Sequence, residues 1–361
     1  MTAGVALLCG LPVIASALPV SVPSLTAAQL RARILSSATL PYAGYAESNA
    51  SFGLPPLSGL SSVTSLLDGV TKMRVWQGMP NQWRVDTLSD AGERDTYQAG
   101  TTEYLWNSGA ELLTEVVPAG DQRTVRLPRA ADLVPPALAQ RVLAQAGPGA
   151  QYGVLPPLRV AGQSAAGLRV TPADPASTIG QVDIWAVPSS GLPLMVEVFG
   201  RGARTPALQS QFFQVSPWRP DASVLTPPRA PGAGFTITSA SSLAGLLNRL
   251  EQEQLPGSLA GRQRVATPGG FATVARYGAG LATFAVLTMP GGTGADVLAG
   301  ARSAGGAPYN FADGTGYLLT ASLVNVVVAR SSRTSDTFLI AGTVSGTVLL
   351  RAADTLTSTE Q

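Results

Sequence analysis

The chain contains no histidine, and its single cysteine, Cys9, lies near the start. These two absences exclude more than any motif adds. A Ser-His-Asp triad, a Cys-His pair, a His-ligated zinc and a Cys-x-x-Cys redox pair all need residues that are missing. An intrachain disulfide is excluded for the same reason. Lysine is almost absent too, with Lys72 the only one. Charged residues make up 13% of the 361 positions, and the formal net charge is +2. No basic run is present, so nothing here forms an electrostatic footprint for nucleic acid or an anionic membrane. No stretch beyond the first residues is long and apolar enough to span a bilayer.

Apolar residues are plentiful at 45%, enough for a sizeable core. The length exceeds one average domain, so two domains are expected. Val5 to Ile14 form an apolar run broken by Gly10 and Pro12, and Ala15-Ser16-Ala17 fits a small-x-small cleavage site. A charged n-region is missing, because the first cation is Arg31. Residues 1–17 are therefore read as a signal peptide or an anchor, and the protein as exported to the envelope or beyond.

Strand signals dominate the next two hundred residues. A short helix opens them: "TAAQLRARILSS" has Thr26 as a plausible N-cap and puts Leu30 and Ile34 on one face. "YAGYAESNASFG" alternates like a strand. "TKMRVWQGMPNQWRVDTLS" reads as two strands around Gly78 to Asn81, and "ERDTYQAGTTEYLWNSGAELLTEVV" continues as a meander. "PPALAQRVLAQ" (Pro135 to Gln145) is helical, with proline suited to the first turn. "VDIWAVPSSGLPLMVEVFG" (Val182 to Gly200) is a hairpin. Val182, Ile184 and Ala186 point one way and Asp183, Trp185 and Val187 the other, with turn chemistry at Pro188 to Gly191.

"TPPRAPGAG" (Thr226 to Gly234) reads as a boundary, beyond which α and β mix. Ser242 to Gln254 and "GADVLAGARSA" are expected helices. Phe271 to Tyr277 and Leu281 to Met289 form an expected hairpin. Tyr317 to Ala329 and Phe338 to Val344 read as strands, followed by a helical end.

Four motifs, in order, resemble those of LolA-like envelope lipoprotein carriers and their secreted lipid-binding relatives. They are "VWQGMPNQWRVD", "QAGTTEYLWNSGAELLTEV", "DIWAVPSSGLPLMVEVF" and "SVLTPPRAPGAG". The likeness covers roughly residues 24–234. It implies an α+β fold: an incomplete antiparallel β-barrel (half-barrel) with helices on its concave side. An apolar space between them would hold acyl chains of a lipid or lipoprotein. Burial of a methylene is worth ~0.8 kcal/mol, so capture needs no catalytic group and no cofactor.

One departure stands out. In the family an arginine before the Pro-Asn turn helps latch the lid of the cavity, and here that position is Met79. Arg74 and Arg84 are the alternatives nearby. The C-terminal part, "ARYGAGLATFAVLTMPG" with "TASLVNVVVAR" and "FLIAGTVSGTVLLRAA", resembles the small domain of periplasmic regulators. These pair a carrier-like domain with a second one to control an anti-sigma factor.

The expected organisation is thus 1–17 signal or anchor, 18–234 half-barrel domain and 235–361 smaller α+β domain. The expected function is non-catalytic: reversible binding of lipid or lipoprotein acyl chains. The alternative is a regulator that binds an anti-sigma factor or another membrane-protein partner or transporter. Trp76, Met79, Trp83, Trp106, Trp185 and Met195 are the expected ligand-binding residues, as flat or adaptable apolar side chains. No catalytic residue, metal or nucleic-acid partner is expected. The carboxylate pairs Asp86/Asp90, Glu93/Asp95 and Glu251/Glu253 read as solvated surface rather than as an acid–base pair.

Overall fold

The structure, a computed structural model, describes residues 20–53, 66–90, 92–117, 128–228, 234–239, 255–265, 274–289 and 291–359. The expected signal or anchor and the expected helix at Ser242–Gln254 lie outside the described residues. So does the Glu251/Glu253 pair.

Two sheets carry the chain. The larger has twelve strands in the order β12-β6-β5-β4-β3-β2-β1-β11-β10-β9-β8-β7. Its strands are β1 (Tyr42–Ser51), β2 (Asp68–Met79), β3 (Gln82–Ser89), β4 (Gly92–Ala99), β5 (Thr102–Asn107) and β6 (Leu112–Val117). After a helical interruption come β7 (Gln151–Val160), β8 (Gln163–Thr171), β9 (Ile179–Ala186), β10 (Pro193–Gly200), β11 (Leu208–Ser216) and β12 (Gly234–Ser239). Every pairing is antiparallel except β12 with β6. The sheet is open. β12 belongs to this sheet, although the sequence places a boundary at its first residue.

Helices α1 (Ala27–Ser36) and α2 (Pro135–Gln145) cover one face. Thr26 caps α1 in a full capping box with Gln29, two otherwise orphaned donors satisfied reciprocally. Leu30 and Ile34 of α1 are fully buried, each worth about 1.5–3 kcal/mol of transfer free energy. They meet Leu138, Val142 and Leu143 of α2 over Met73, Val75, Ile184, Val196 and Phe212 of the strands. The alternation expected in the Val182–Gly200 hairpin holds in part. Val182, Ile184 and Ala186 join this core and Asp183 turns away to Arg169, whereas Trp185, alternating with Ile184, is buried in the same cluster.

The second sheet has eight strands in the order β13-β14-β15-β16-β20-β19-β18-β17. They are β13 (Ser258–Leu259), β14 (Arg262–Val265), β15 (Val274–Ala279), β16 (Ala282–Met289), β17 (Ala307–Phe311), β18 (Gly314–Thr320), β19 (Asn325–Ser331) and β20 (Thr337–Gly342). The run Tyr317 to Ala329, read from sequence within one strand region, is two strands with a turn at Ala321–Val324. Apolar residues on both sides of the turn hide the break; β19 is largely buried, whereas β18 is mostly half-buried with Thr315 and Thr320 exposed. Helix α3 (Gly291–Ser303) packs on one face against Leu319 and Val328. Helix α4 (Gly346–Ser358) packs on the other through Leu349, Ala352, Ala353 and Leu356.

The two sheets meet along a hydrogen-bonded seam. Thr178 N donates to Thr343 O, Ser345 N to Ala176 O and Ser322 N to Phe52 O. Arg262 bonds Asp174 Oδ2 at 2.6 Å and Ala282 O at 3.1 Å. Gly147 and Gly280 approach so closely that a Cβ on Gly147 would stand 2.9 Å from Gly280 Cα.

Candidate functional site

Three concavities are candidates. The first lies on the helix-covered face, between β1–β3 and the segment entering α2. It is a cavity of about 190 Å³ lined by Tyr42, Val75, Trp83 and Val85 from the strands, and by Arg129, Asp132, Val134 and Ala137. Arg129 stacks on Trp83 with its guanidinium carbon 4.9 Å from the ring centroid, and pairs with Glu103. Burial lowers its pKa, against the opposing pull of Asp132. Asp132 in turn accepts from Arg129 N and pairs with Arg141 at 2.7 Å. Burial also raises the pKa of Tyr42. The wall is thus apolar at its base and polar at its rim.

The second concavity, about 440 Å³, opens at the seam between the sheets. Ala146, Pro148, Pro172 and Ala173 face Val265, Gly278 and Leu281 across it, with the Asp174–Arg262 ion pair beside them. Arg262, Ala176 N and Arg201 hold the Asp174 carboxyl below its ordinary range, against the effect of its burial.

The third, about 480 Å³, is a groove on the face of the large sheet away from α1 and α2. Tyr45, Arg74, Trp76, Leu88, Gln214 and Trp218 line it. Trp218 is 65% exposed. Phe213 stands out of a bulge in β11 and lies 6.2 Å from Tyr45, ring to ring. The Tyr45 hydroxyl donates to Glu47 Oε1 at 2.5 Å; burial first, then this bond, pushes its pKa up to about 12.

Beside this groove sits a charge cluster that the sequence misread. Asp86 and Asp95 are 0% and 4% exposed, not solvated. They are cross-strand neighbours on β3 and β4 and flank Arg84 on the same face. Arg84 Nε lies 2.5 Å from Asp86 Oδ1, and Nη2 lies 2.9 Å from Asp95 Oδ2. The guanidinium also stacks between Trp76 and Tyr97, 5.0 Å from each ring. Burial pushes the Asp86 carboxyl up to about 7, outweighing Arg84. Burial likewise raises Asp95. Sequence distance could not show this, because the acids are joined by strand register rather than by spacing.

The six expected ligand residues do not converge. Trp83 lines the cavity under α2. Trp76 lines the groove on the other face, and Trp106 faces that same side opposite Asp95. Trp185 and Met195 are cross-strand partners, both buried, with Trp185 Nε1 donating to Pro156 O at 3.1 Å. Met79 is exposed at the end of β2. Arg84 points away from the cavity. The arginine that stands over it is Arg129, which sequence reasoning passed over; the cue is its place three residues before Asp132, at the start of the turn leading into α2.

Among solved structures, the chain is similar to MucB of Pseudomonas aeruginosa in its complex with MucA. Identity is 15%, with 91% of this chain and 96% of that chain covered and a TM-score of 0.50. It is similar at the same identity and TM-score to MucB in complex with MucA(peri), covering 91% of this chain and 97% of that one. A LolA superfamily protein, NE2245 from Nitrosomonas europaea, also matches, at 11% identity over 56% of this chain and 99% of that one, with a TM-score of 0.25. The expected LolA-like likeness is thus present among solved structures. No model of a known protein family matches the chain. No curated protein matches its sequence. The two likenesses at a TM-score of 0.50 are likenesses of fold.

Proposed function

We propose that this is an exported, non-catalytic binding protein whose ligand is a segment of another protein, an anti-sigma factor or another membrane-protein partner. The observation that carries this reading is the extent of the likeness to MucB. It runs through both sheets and nearly the whole of each chain, and MucB is solved in complex with MucA. The chain's own geometry supports it. The two larger concavities, at the seam and beside Trp218, open on the surface and exceed the cavity under α2. An extended polypeptide fits such open grooves, although their volumes also lie within the range of about 300–1,000 Å³ usual for small-ligand clefts. The test is reconstitution of the full chain with exported segments of membrane proteins from its host. The expected result is a stoichiometric complex with one of them in light scattering. Failure to bind any such segment overturns the reading.

The lipid reading is second, and one observation favours it. The cavity under α2 lies between sheet and helix, where the family resemblance puts the acyl space. At about 190 Å³ it is below the usual size of a ligand site, so an acyl chain enters only if α2 moves outward. Organic extraction of the purified protein followed by mass spectrometry tests it. Stoichiometric lipid supports the carrier, and a bare protein removes it.

A further inference from the structure

Asp86 on β3 and Asp95 on β4 are cross-strand partners, and Glu93 lies two residues from Asp95 on the same face. One ligand oxygen from each of the three lies within 4.8 Å of the others. Acids gathered on a surface are satisfied by water and need no ion. Asp86 and Asp95 have no such access, because both are buried.

A second observation concerns single atoms. Arg84 takes one oxygen of each acid, Oδ1 of Asp86 at 2.5 Å and Oδ2 of Asp95 at 2.9 Å. The Tyr97 hydroxyl donates to that same Oδ2 at 3.2 Å. The remaining oxygens, Asp86 Oδ2 and Asp95 Oδ1, are buried and have no hydrogen-bond partner among the described residues. Glu93 beside them is another acceptor and, when ionised, has no proton to give. A buried charged acceptor without a donor is costly, so each of these atoms calls for a partner.

Charge and chemistry name that partner. Three carboxylates meet one guanidinium, and a divalent cation brings the sum to zero. Arg74 stands 3.8 Å from Glu93 on the solvent side, with its side chain 53% exposed, and water screens it. An all-carboxylate set without nitrogen or sulfur suits a hard cation. Calcium holds its oxygens at about 2.3–2.6 Å, so opposite ligands stand roughly 4.6–5.2 Å apart, and a spread of up to 4.8 Å fits that shell. The shell of magnesium is tighter, at about 4.0–4.2 Å across. Arg84 and Tyr97 orient the ligands from behind, as outer-shell partners do. The half-buried Glu93 marks the side open to solvent, where the ion enters and water completes its shell.

We propose that Asp86 Oδ2, Asp95 Oδ1 and the Glu93 carboxylate bind a calcium ion on the face of the large sheet away from α1 and α2. The site pins β3 to β4 through their side chains and does not depend on which partner the protein binds.

The test uses the full chain, stripped of metal by a chelator and desalted. Terbium(III), a luminescent stand-in for calcium, is expected to bind at one site and to emit on tryptophan excitation, because Trp76 stands 5.0 Å from the Arg84 guanidinium. Calcium chloride at about millimolar concentration is expected to displace it, and magnesium chloride at the same concentration to displace it less. Glu93→Gln and Asp95→Asn are each expected to weaken terbium and calcium binding about tenfold or more. Circular dichroism checks that each variant is folded. Glu93→Gln, at the open rim, keeps the test decisive where the buried Asp95→Asn does not fold. Absence of sensitised emission, displacement by magnesium at least as strong as by calcium, or binding that Glu93→Gln leaves unchanged each overturns the assignment. The two orphaned oxygens then hold a water or a proton only.

Discussion

Asp86 shows how register creates a site that spacing hides. Its carboxyl is pushed by burial from the ordinary 3.8 up to about 7, despite Arg84. The folded state therefore holds a proton that the unfolded state has already released between those values. Its contribution to stability is present below about pH 4 and is lost as pH rises toward about 7. Asp86→Asn is expected to flatten the fall in thermal midpoint between about pH 4 and pH 7, read by circular dichroism. A second residue-scale prediction concerns Gly191, at φ +75° in the β9–β10 turn. A Cβ there would stand 2.2 Å from Arg33 O at the end of α1. Gly191→Ala is expected to cost at least about 1–3 kcal/mol in denaturant unfolding, from backbone strain alone. The glycine was legible in the sequence as a turn residue. Its second task, letting α1 approach, was not, because that contact spans more than 150 positions.

At the scale of elements, Val134 and Ala137 at the start of α2 wall the cavity beneath it. Trp83 is the one expected tryptophan that lines it, and Trp76 lies on the other face of the sheet. Trp83→Ala is expected to change the amount or length of any co-purifying acyl chain seen by mass spectrometry, while Trp76→Ala leaves it unchanged. Loss in both variants or in neither removes the cavity as the lipid site. Leu143, 2% exposed on the inner face of α2, is expected to cost about 2–5 kcal/mol as Leu143→Ala. Helix α1 was legible from its cap and apolar spacing, and α2 from the prolines of its first turn. β7 was not, because Pro156 and Pro157 interrupt a strand pattern; an edge position with a bulge tolerates them. β17 was missed for a related reason, since a mostly exposed edge strand has no buried side to alternate against.

For the whole molecule, the seam between the sheets is built from backbone hydrogen bonds, from the hydroxyls of Ser177, Thr178 and Ser322, which donate to Leu281 O, Leu323 O and Ser51 O, and from one nearly buried arginine. Arg262 joins Asp174 of the first unit to Ala282 of the second. Loss of hydrogen bonds to a charged group costs about 1.5–3 kcal/mol. Arg262→Ala is expected to speed hydrogen exchange at Thr178 and Ser345, whose amides cross the seam, by about tenfold or more. Unchanged exchange there means that Arg262 does not hold the units together.

Composition alone removed whole classes of chemistry, since no arrangement in space supplies a histidine or a second cysteine. Local pattern alone marked α1, α2 and the strands of the first meander, because alternation and capping act between neighbours in the chain. What only the tertiary structure decided is which face each tryptophan occupies and which acids are buried. Those outcomes depend on strand register and on what lies across a face, and both join residues too far apart in the chain for any local pattern to record.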